Sequence, residues 1–290
     1  MRIAVLGTGR MGGAMVGTLR HAGHEVLAWN RDRDKAESVA VTTGARVADT
    51  AVSAASEADV VLSSLADDEA VRDVYADLGL ASRPGRIFLE MSTIAPATVR
   101  TVASTIVASG GELLDAPVSG SVSTVDAGQL LVMVGGDAEA LERARPAIDP
   151  LAKKILHVGE LGAGATMKLA VNALIHGLGI ALSESLVLAE RAGIERSAAY
   201  EVFANGAAAA PFVLYKRAAF ERPDETPVAF SLGLVAKDLD LILRLAEEVG
   251  ATMRQAETNR EEVRAALRAG MAERDLSAIA EFLRGTERLA

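Results

Sequence analysis

The residues best suited to chemistry in this chain of 290 residues are a lysine, an asparagine and a glycine-rich turn. Lys168 and Asn172 lie four apart in a stretch, Ala165 to Ala192, whose composition predicts one long helix, so they share a helix face. A mid-helix lysine among Ala, Leu and Val is costly to desolvate, and that lowers a lysine pKa from about 10.4 toward neutrality. Such a lysine can donate a proton to a carbonyl oxygen as a hydride arrives, and can remove it in reverse. Asn172 can hydrogen-bond the substrate oxygen or hold the lysine in place. On spacing alone, a snorkelling lysine beside a packing asparagine is the better reading. His176 lies on the same face and reads as packing.

The apolar run Ile3–Leu6 leads into Gly7-Thr8-Gly9-Arg10-Met11-Gly12, a G-x-G-x-x-G turn. Gly7 can make the tight turn, Gly9 removes the Cβ that would block a pyrophosphate, and Gly12 lets the next helix pack against the strand. The helix then offers free N–H groups and a positive dipole end to phosphates. A strand before, a helix after and a second strand beyond the Gly23-His24 turn favour a dinucleotide site over a structural glycine turn. NAD enzymes usually end that second strand with an acid for the ribose 2′-OH. Here the residues are Trp29-Asn30-Arg31-Asp32-Arg33. Asn30 replaces the acid, and Arg31 can stack on adenine and pair with a 2′-phosphate. NADP is the expected cofactor, and Asp32 leaves NAD as the second.

Two further features are weaker alone. Val118-Ser119-Gly120-Ser121 follows a strand at the edge where ligands bind in such sheets. Its small residues can aim backbone N–H groups and the Ser119 hydroxyl at a carboxylate. Lys237-Asp238 reads on its own as an ordinary helix surface.

The elements that must carry these residues follow from hydrophobic patterning. Short, nearly continuous apolar runs recur at Ile3–Leu6, Val26–Trp29, Val60–Leu62, Ile87–Met91, Leu113–Leu114, Leu130–Val134 and Ile155–Val158. They suit strands covered on both faces, and helix-compatible stretches separate most of them. The alternation predicts an α/β fold with a doubly wound parallel sheet, a Rossmann domain over 1–160. Beyond Gly159 no convincing strand appears. Helices are expected over Ala165–Ala192, Arg196–Ala204, Ser231–Val249, Arg254–Ala269 and Leu276–Arg284, giving an all-α domain over 161–290 joined by the long first helix. At about 1.5 Å per residue that helix spans roughly 42 Å. Arg217–Pro227, with two prolines and several charges, reads as a surface loop.

Composition narrows the classes. Basic residues number 30 against 39 acidic, a net charge of −9, and no Lys/Arg-rich run occurs, so nucleic acid is not an expected partner. No cysteine is present, which excludes disulfides, thiolate catalysis and thiolate metal sites. The apolar segment after Met1-Arg2 is too short for a signal-peptide core. No run of about 18 apolar residues escapes interruption by Lys, Asn or His, so a cytoplasmic protein without a membrane partner is expected.

Four motifs in order give a resemblance that spans nearly the whole chain. They are Gly7 to Met15, Asp115-Ala-Pro-Val-Ser-Gly120, Gly159 to Asn172 with Lys168 inside it, and Lys237-Asp238-Leu239. Together they resemble the β-hydroxyacid dehydrogenases, which include 3-hydroxyisobutyrate dehydrogenase, tartronate semialdehyde reductase and the glyoxylate/succinic semialdehyde reductases. The resemblance reverses the reading of Lys168, implying a general acid/base with Asn172 beside it. It implies that Ser119, Gly120 and Ser121 bind substrate, with Ser121 departing from the usual glycine. It implies that Leu65, Ala66 and Thr93 line the cofactor, and that Lys237 reaches across a cleft to it. Glu90 stands where an acid, more often Asp, is usual. The implied substrate is a small carboxylic acid or aldehyde, and the stretch from Asn205 through Pro211 to Leu232 looks closest to the glyoxylate/succinic semialdehyde branch.

Imine reductases share this fold and these motifs but commonly replace the lysine, so Lys168 argues against imine reduction. Intact Lys168 and Asn172 argue against a silent cofactor-binding scaffold. The long helix carries two apolar rows, one through Val171, Leu174, Leu178, Leu182, Leu186 and Ala189, the other through Ile175, Gly179 and Ile180. A few helices of one domain are not expected to cover both. The residues and the resemblance together lead to the expectation of a homodimer or homotetramer.

Overall fold

The structure, a computed structural model, describes residues 1–285. The chain forms two compact units that divide after Lys168. The first alternates strands and helices in chain order: β1 (Arg2–Leu6), α1 (Arg10–His21), β2 (Glu25–Trp29), α2 (Arg33–Thr43), β3 (Arg46–Val47), α3 (Ala51–Glu57), β4 (Val60–Ser63) and α4 (Asp68–Ala76). There follow β5 (Ile87–Glu90), α5 (Pro96–Ala108), β6 (Glu112–Asp115), β7 (Val118–Ser119), α6 (Val122–Asp126), β8 (Leu130–Gly135), α7 (Ala138–Ile148) and β9 (Ala152–Gly159).

The strands form one sheet in the order β3-β2-β1-β4-β5-β6-β8-β7, with β9 beside β8. Strands β1 to β6 are parallel, and their order is that of the doubly wound nucleotide-binding folds. Beyond them β8 runs antiparallel to β6 and β7, and β9 parallel to β8. The reversal has a simple cause. Only the short α6 separates β7 from β8, and a parallel crossover needs a dozen residues or more.

Register aligns the strand ends that matter. Leu6 stands opposite Trp29 and Ser63, Ser63 opposite Glu90, and Glu90 opposite Asp115. Five carboxyl ends thus lie along one edge. Burial on both faces explains the continuous apolar runs: Ile3, Ala4, Val5 and Leu6 are all fully inaccessible. One layer packs Met15, Val16 and Leu19 of α1 and Leu141 and Ile148 of α7 on the sheet. The other packs Tyr75, Val99 and Ile106.

The second unit is helical. Helix α8 (Ala163–Arg191) begins in the first unit and continues into the second, followed by α9 (Arg196–Asn205), α10 (Pro211–Glu221), α11 (Leu232–Val249), α12 (Arg254–Arg268) and α13 (Ile279–Gly285). Where the sequence suggests a boundary at residue 160, the units divide inside α8, because Ala165 in its first turns packs into the sheet unit's core. Ser231 caps α11 through its hydroxyl, one residue before the helix begins.

The expected surface loop over Arg217–Pro227 is corrected. Pro211 opens α10, which runs through Glu221, so only the residues after it form the loop. Lys216 on this helix is buried, its ammonium 2.8 Å from both oxygens of Asp275. The Asp275 carboxylate also accepts from the Ala229 and Phe230 N–H groups, so this ion pair fixes the loop's far end. Among the described residues α8 alone is long and apolar enough to cross a membrane, with a mean hydropathy of 1.5 over its most apolar window. Part of its apolar surface is already packed, since Leu169, Ile180, Leu182 and Leu186 are buried.

Candidate active site

The glycine turn is built by close approach. A Cβ on Gly12 would lie 1.9 Å from the Gly7 carbonyl oxygen, so no other residue lets α1 sit this near the strand end. Gly9, in contrast, faces open space, with nothing within 4 Å of where its Cβ would be. No side chain caps α1, so the N–H groups of its first turn at Arg10, Met11 and Gly12 are left for an outside acceptor. The hydroxyl of Thr8 is buried with no hydrogen-bond partner. Open space at Gly9, uncapped N–H groups and an orphaned hydroxyl fit a pyrophosphate.

Asn30 does structural work at this turn. Its Oδ1 accepts from the Thr8 N–H at 3.1 Å, and its Nδ2 donates to the Asp32 carbonyl at 2.9 Å. The cations beside it divide. Arg33 is engaged by Glu37 at 2.7 Å and Asp49 at 2.8 Å, whereas no ion pair among the described residues engages the exposed Arg31.

The ends of β4 and β5 are tied by a buried acid. Glu90 accepts from the Ser63 hydroxyl at 2.5 Å and from the Ser92 N–H at 2.7 Å, and Ser63 in turn lies 2.8 Å from the Tyr75 hydroxyl. The Ser92 hydroxyl accepts from the Leu65 N–H at 2.8 Å. Leu65 and Ala66 past β4, and Thr93 past β5, are therefore held in one frame. Burial pushes the Glu90 carboxyl up, and the hydrogen bonds from Ser63 and Ser92 offset part of that rise.

Asp115, the last residue of β6, is fully buried and seats the start of α8. One oxygen accepts from the Gly162 N–H at 2.8 Å, the other from the Ala165 N–H at 2.7 Å. Burial raises its pKa while these backbone donors pull it down, and burial wins. The fit needs glycine: a Cβ on Gly164 would lie 2.5 Å from the Met133 carbonyl oxygen and 2.6 Å from that of Asp115. The first motif containing a candidate substrate residue thus anchors the helix that carries Lys168. Ser119 pairs with Leu131 on β8, its side chain half-buried. The hydroxyl of Ser121 lies 2.9 Å from those of Ser123 and Thr124 at the head of α6. The departure from glycine is absorbed in that local turn. Gly120 between them is exposed.

In the second unit the described cluster centres on Asp238, which is fully buried. Asn172 donates to its Oδ2 at 2.6 Å, His176 Nε2 lies 3.3 Å from the same oxygen, and Lys237 Nζ is 3.1 Å from Oδ1. Burial favours the neutral acid, but the bond from His176 and the charge of Lys237 outweigh it and hold Asp238 below the usual carboxylate range. Lys168 is half-buried on α8, one turn before Asn172. The sequence names Asp115 and Glu90 only as parts of the resemblance, without these roles, and it does not show the bonding of His176. The first two had a signal, an acid closing an otherwise apolar strand.

Sheet order, glycine turn and strand-end residues define a class of protein, the nucleotide-dependent oxidoreductases of doubly wound fold. Comparison with known proteins carries this further. Residues 2–159 match the NAD binding domain of 6-phosphogluconate dehydrogenase, and 162–283 the NAD-binding domain of NADP-dependent 3-hydroxyisobutyrate dehydrogenase. The chain is similar to a probable 3-hydroxyisobutyrate dehydrogenase of Mycobacterium tuberculosis, 36% identical over 97% of each chain. It is 32% identical to glyoxylate/succinic semialdehyde reductase 2 of Arabidopsis thaliana, over 98% of this chain and 80% of that one. A solved structure of the M. tuberculosis 3-hydroxyisobutyrate dehydrogenase with L-serine superposes with a TM-score of 0.85 at 34% identity, covering 98% of this chain and 99% of that one. The chain belongs to the 3-hydroxyisobutyrate dehydrogenase family. It is an NAD(P)-dependent dehydrogenase of the β-hydroxyacid type, acting on a CH–OH group.

Proposed function

We propose that the protein is an NADP-dependent reductase or dehydrogenase of a small β-hydroxy acid or semialdehyde, with Lys168 as general acid and base. The substrate is of the 3-hydroxyisobutyrate, tartronate semialdehyde, glyoxylate or succinic semialdehyde type. The observation that carries the reading is the Asn172 amide. Asp238 can only accept, so Asn172 must turn its N–H side to it and keep its carbonyl oxygen for a donor. A hydroxyl or an ammonium on the reacting side suits that acceptor.

The bound nicotinamide supplies or takes the hydride. In the reduction Lys168 gives a proton to the substrate oxygen, and in the oxidation it takes one back. Asn172 orients the substrate oxygen or the lysine. Ser119, Gly120 and Ser121 hold the substrate carboxylate, and Lys237 acts on the cofactor. Gly7 to Gly12 hold the pyrophosphate, with Leu65, Ala66 and Thr93 along the cofactor. We assign cofactor binding to the first unit, which also lends Ser119 to Ser121 to the substrate, further substrate binding and assembly to the second, and the cytoplasm as the compartment. Turnover of reduced nicotinamide with glyoxylate, succinic semialdehyde, tartronate semialdehyde and a cyclic imine tests the reading. Activity on the imine alone would replace it with imine reduction.

Arg31, the uncommitted cation at the end of β2, supports NADP over NAD. Arg31→Ala is expected to weaken NADPH binding by about tenfold or more, the loss of a charged hydrogen-bonded partner, and NADH far less. Fluorescence titration of both cofactors measures this. Equal losses would mean that Arg31 only stacks on adenine.

A homo-oligomer, at least a dimer, is the proposed assembly. Of the apolar row read from the sequence, Leu182 and Leu186 are covered within the chain, while Leu174 is 72% exposed, as is Leu188. Light scattering at micromolar concentration is expected to give at least twice the chain mass. The mass of one chain would rule the assembly out.

A further inference from the structure

His176 is the residue whose chemistry the sequence least explains. It is 4% exposed on α8, with Phe230 stacked on its ring at 5.7 Å. Its Nε2 faces Asp238, but Nδ1 is buried without a hydrogen-bond partner. Around it lies a small cavity lined mainly by aliphatic side chains, among them Ile180, Leu232, Val235 and Leu276. For packing alone an aliphatic side chain would serve better, since a polar nitrogen left unpaired in such surroundings opposes folding. The imidazole must be offset by what its other nitrogen does.

That nitrogen meets the carboxylate that also holds Asn172. Asp238 has no hydrogen to give, so both Nε2 of His176 and Nδ2 of Asn172 are donors to its Oδ2. Lys237 takes the other oxygen. Two hydrogen bonds and the ion pair with Lys237 compensate a charge with no access to water. Removing one lets the carboxylate rotate toward Lys237 and loosens the amide of Asn172.

We propose that His176 is a positioning residue: by donating to Asp238 it fixes the carboxylate that orients the Asn172 amide toward the reacting groups. The proposal rests on the catalytic reading of Lys168 and Asn172 given above. It makes kcat depend on a donor to Asp238 at this position, which a packing role does not.

The test compares His176→Leu and His176→Gln in the full chain, by thermal melting, cofactor titration and turnover of glyoxylate and succinic semialdehyde. The leucine variant is expected to fold but to melt below the parent, since a donor to the buried Asp238 is lost, with kcat down about tenfold and cofactor affinity changed less. The glutamine variant, whose amide can donate to Asp238, is expected to recover most of that loss. Parent-like kcat in the leucine variant, or a glutamine variant as slow as leucine, would overturn the proposal. If the leucine variant fails to fold, parent-like kcat in His176→Ala would overturn it, and a tenfold loss recovered by glutamine would support it. Lys168→Ala measured alongside separates the two claims. An inactive Lys168→Ala with a fully active His176→Leu removes only the positioning role, while an active Lys168→Ala removes the catalytic reading itself.

Discussion

Replacing Lys168 by alanine is expected to lower kcat by at least about 10²-fold, the usual size of a general acid/base contribution, with cofactor affinity nearly intact. The expectation rests on where the lysine stands. It follows the glycine-rich start of α8, which Asp115 fastens to the sheet. Asn172 stands one turn further on, its amide fixed by Asp238. Lys168→Arg sharpens the result. Arginine keeps the charge but does not release its proton in a protein, so it is expected to be nearly as slow as alanine. Substantial recovery in the arginine variant would mean that the lysine acts by charge alone. Steady-state kinetics with a cofactor titration measures both, and a parent-like alanine variant would remove Lys168 from the mechanism.

The second large effect is expected at Asp115. Asp115→Asn leaves one oxygen to accept and sets an NH₂ group against the other buried N–H. Losing one charge-assisted bond and stranding its donor costs on the order of 3 kcal/mol. For a unit of this size, that corresponds to a melting temperature lower by roughly 6–12 °C. Because α8 then starts less firmly, kcat is expected to fall more than cofactor affinity. Calorimetry and kinetics on the same preparation check this. A variant that melts with the parent would show that the α8 start is held by its glycine packing rather than by the carboxylate.

Much of this is legible in the sequence. The strand runs gave the sheet unit, since strands buried on both faces have no polar alternation to misread. The glycine turn was legible because Gly12 answers a distance that only glycine meets. What stayed hidden depended on contacts between residues far apart in the chain. Arg217 to Glu221 read as loop because the pairing of Lys216 with Asp275, 59 residues on, leaves no mark in local patterning. The antiparallel turn at β8 followed from the shortness of α6, which hydrophobic patterning does not weigh. His176 shares a face with Asn172 in the sequence, but its partner Asp238 lies 62 residues away. Spacing could suggest a packing residue and no more.

The central claim is direct hydride transfer between a nicotinamide held by the glycine-turn unit and the carbon of a small acid or semialdehyde. The most direct measurement follows the label from NADPH deuterated at the transferring carbon, with glyoxylate and succinic semialdehyde as acceptors and mass spectrometry of the products. The account predicts one deuterium on the carbinol carbon of the product, with the rate of its appearance collapsing in Lys168→Ala. Product without deuterium, or cofactor oxidised with neither acceptor reduced, would contradict it.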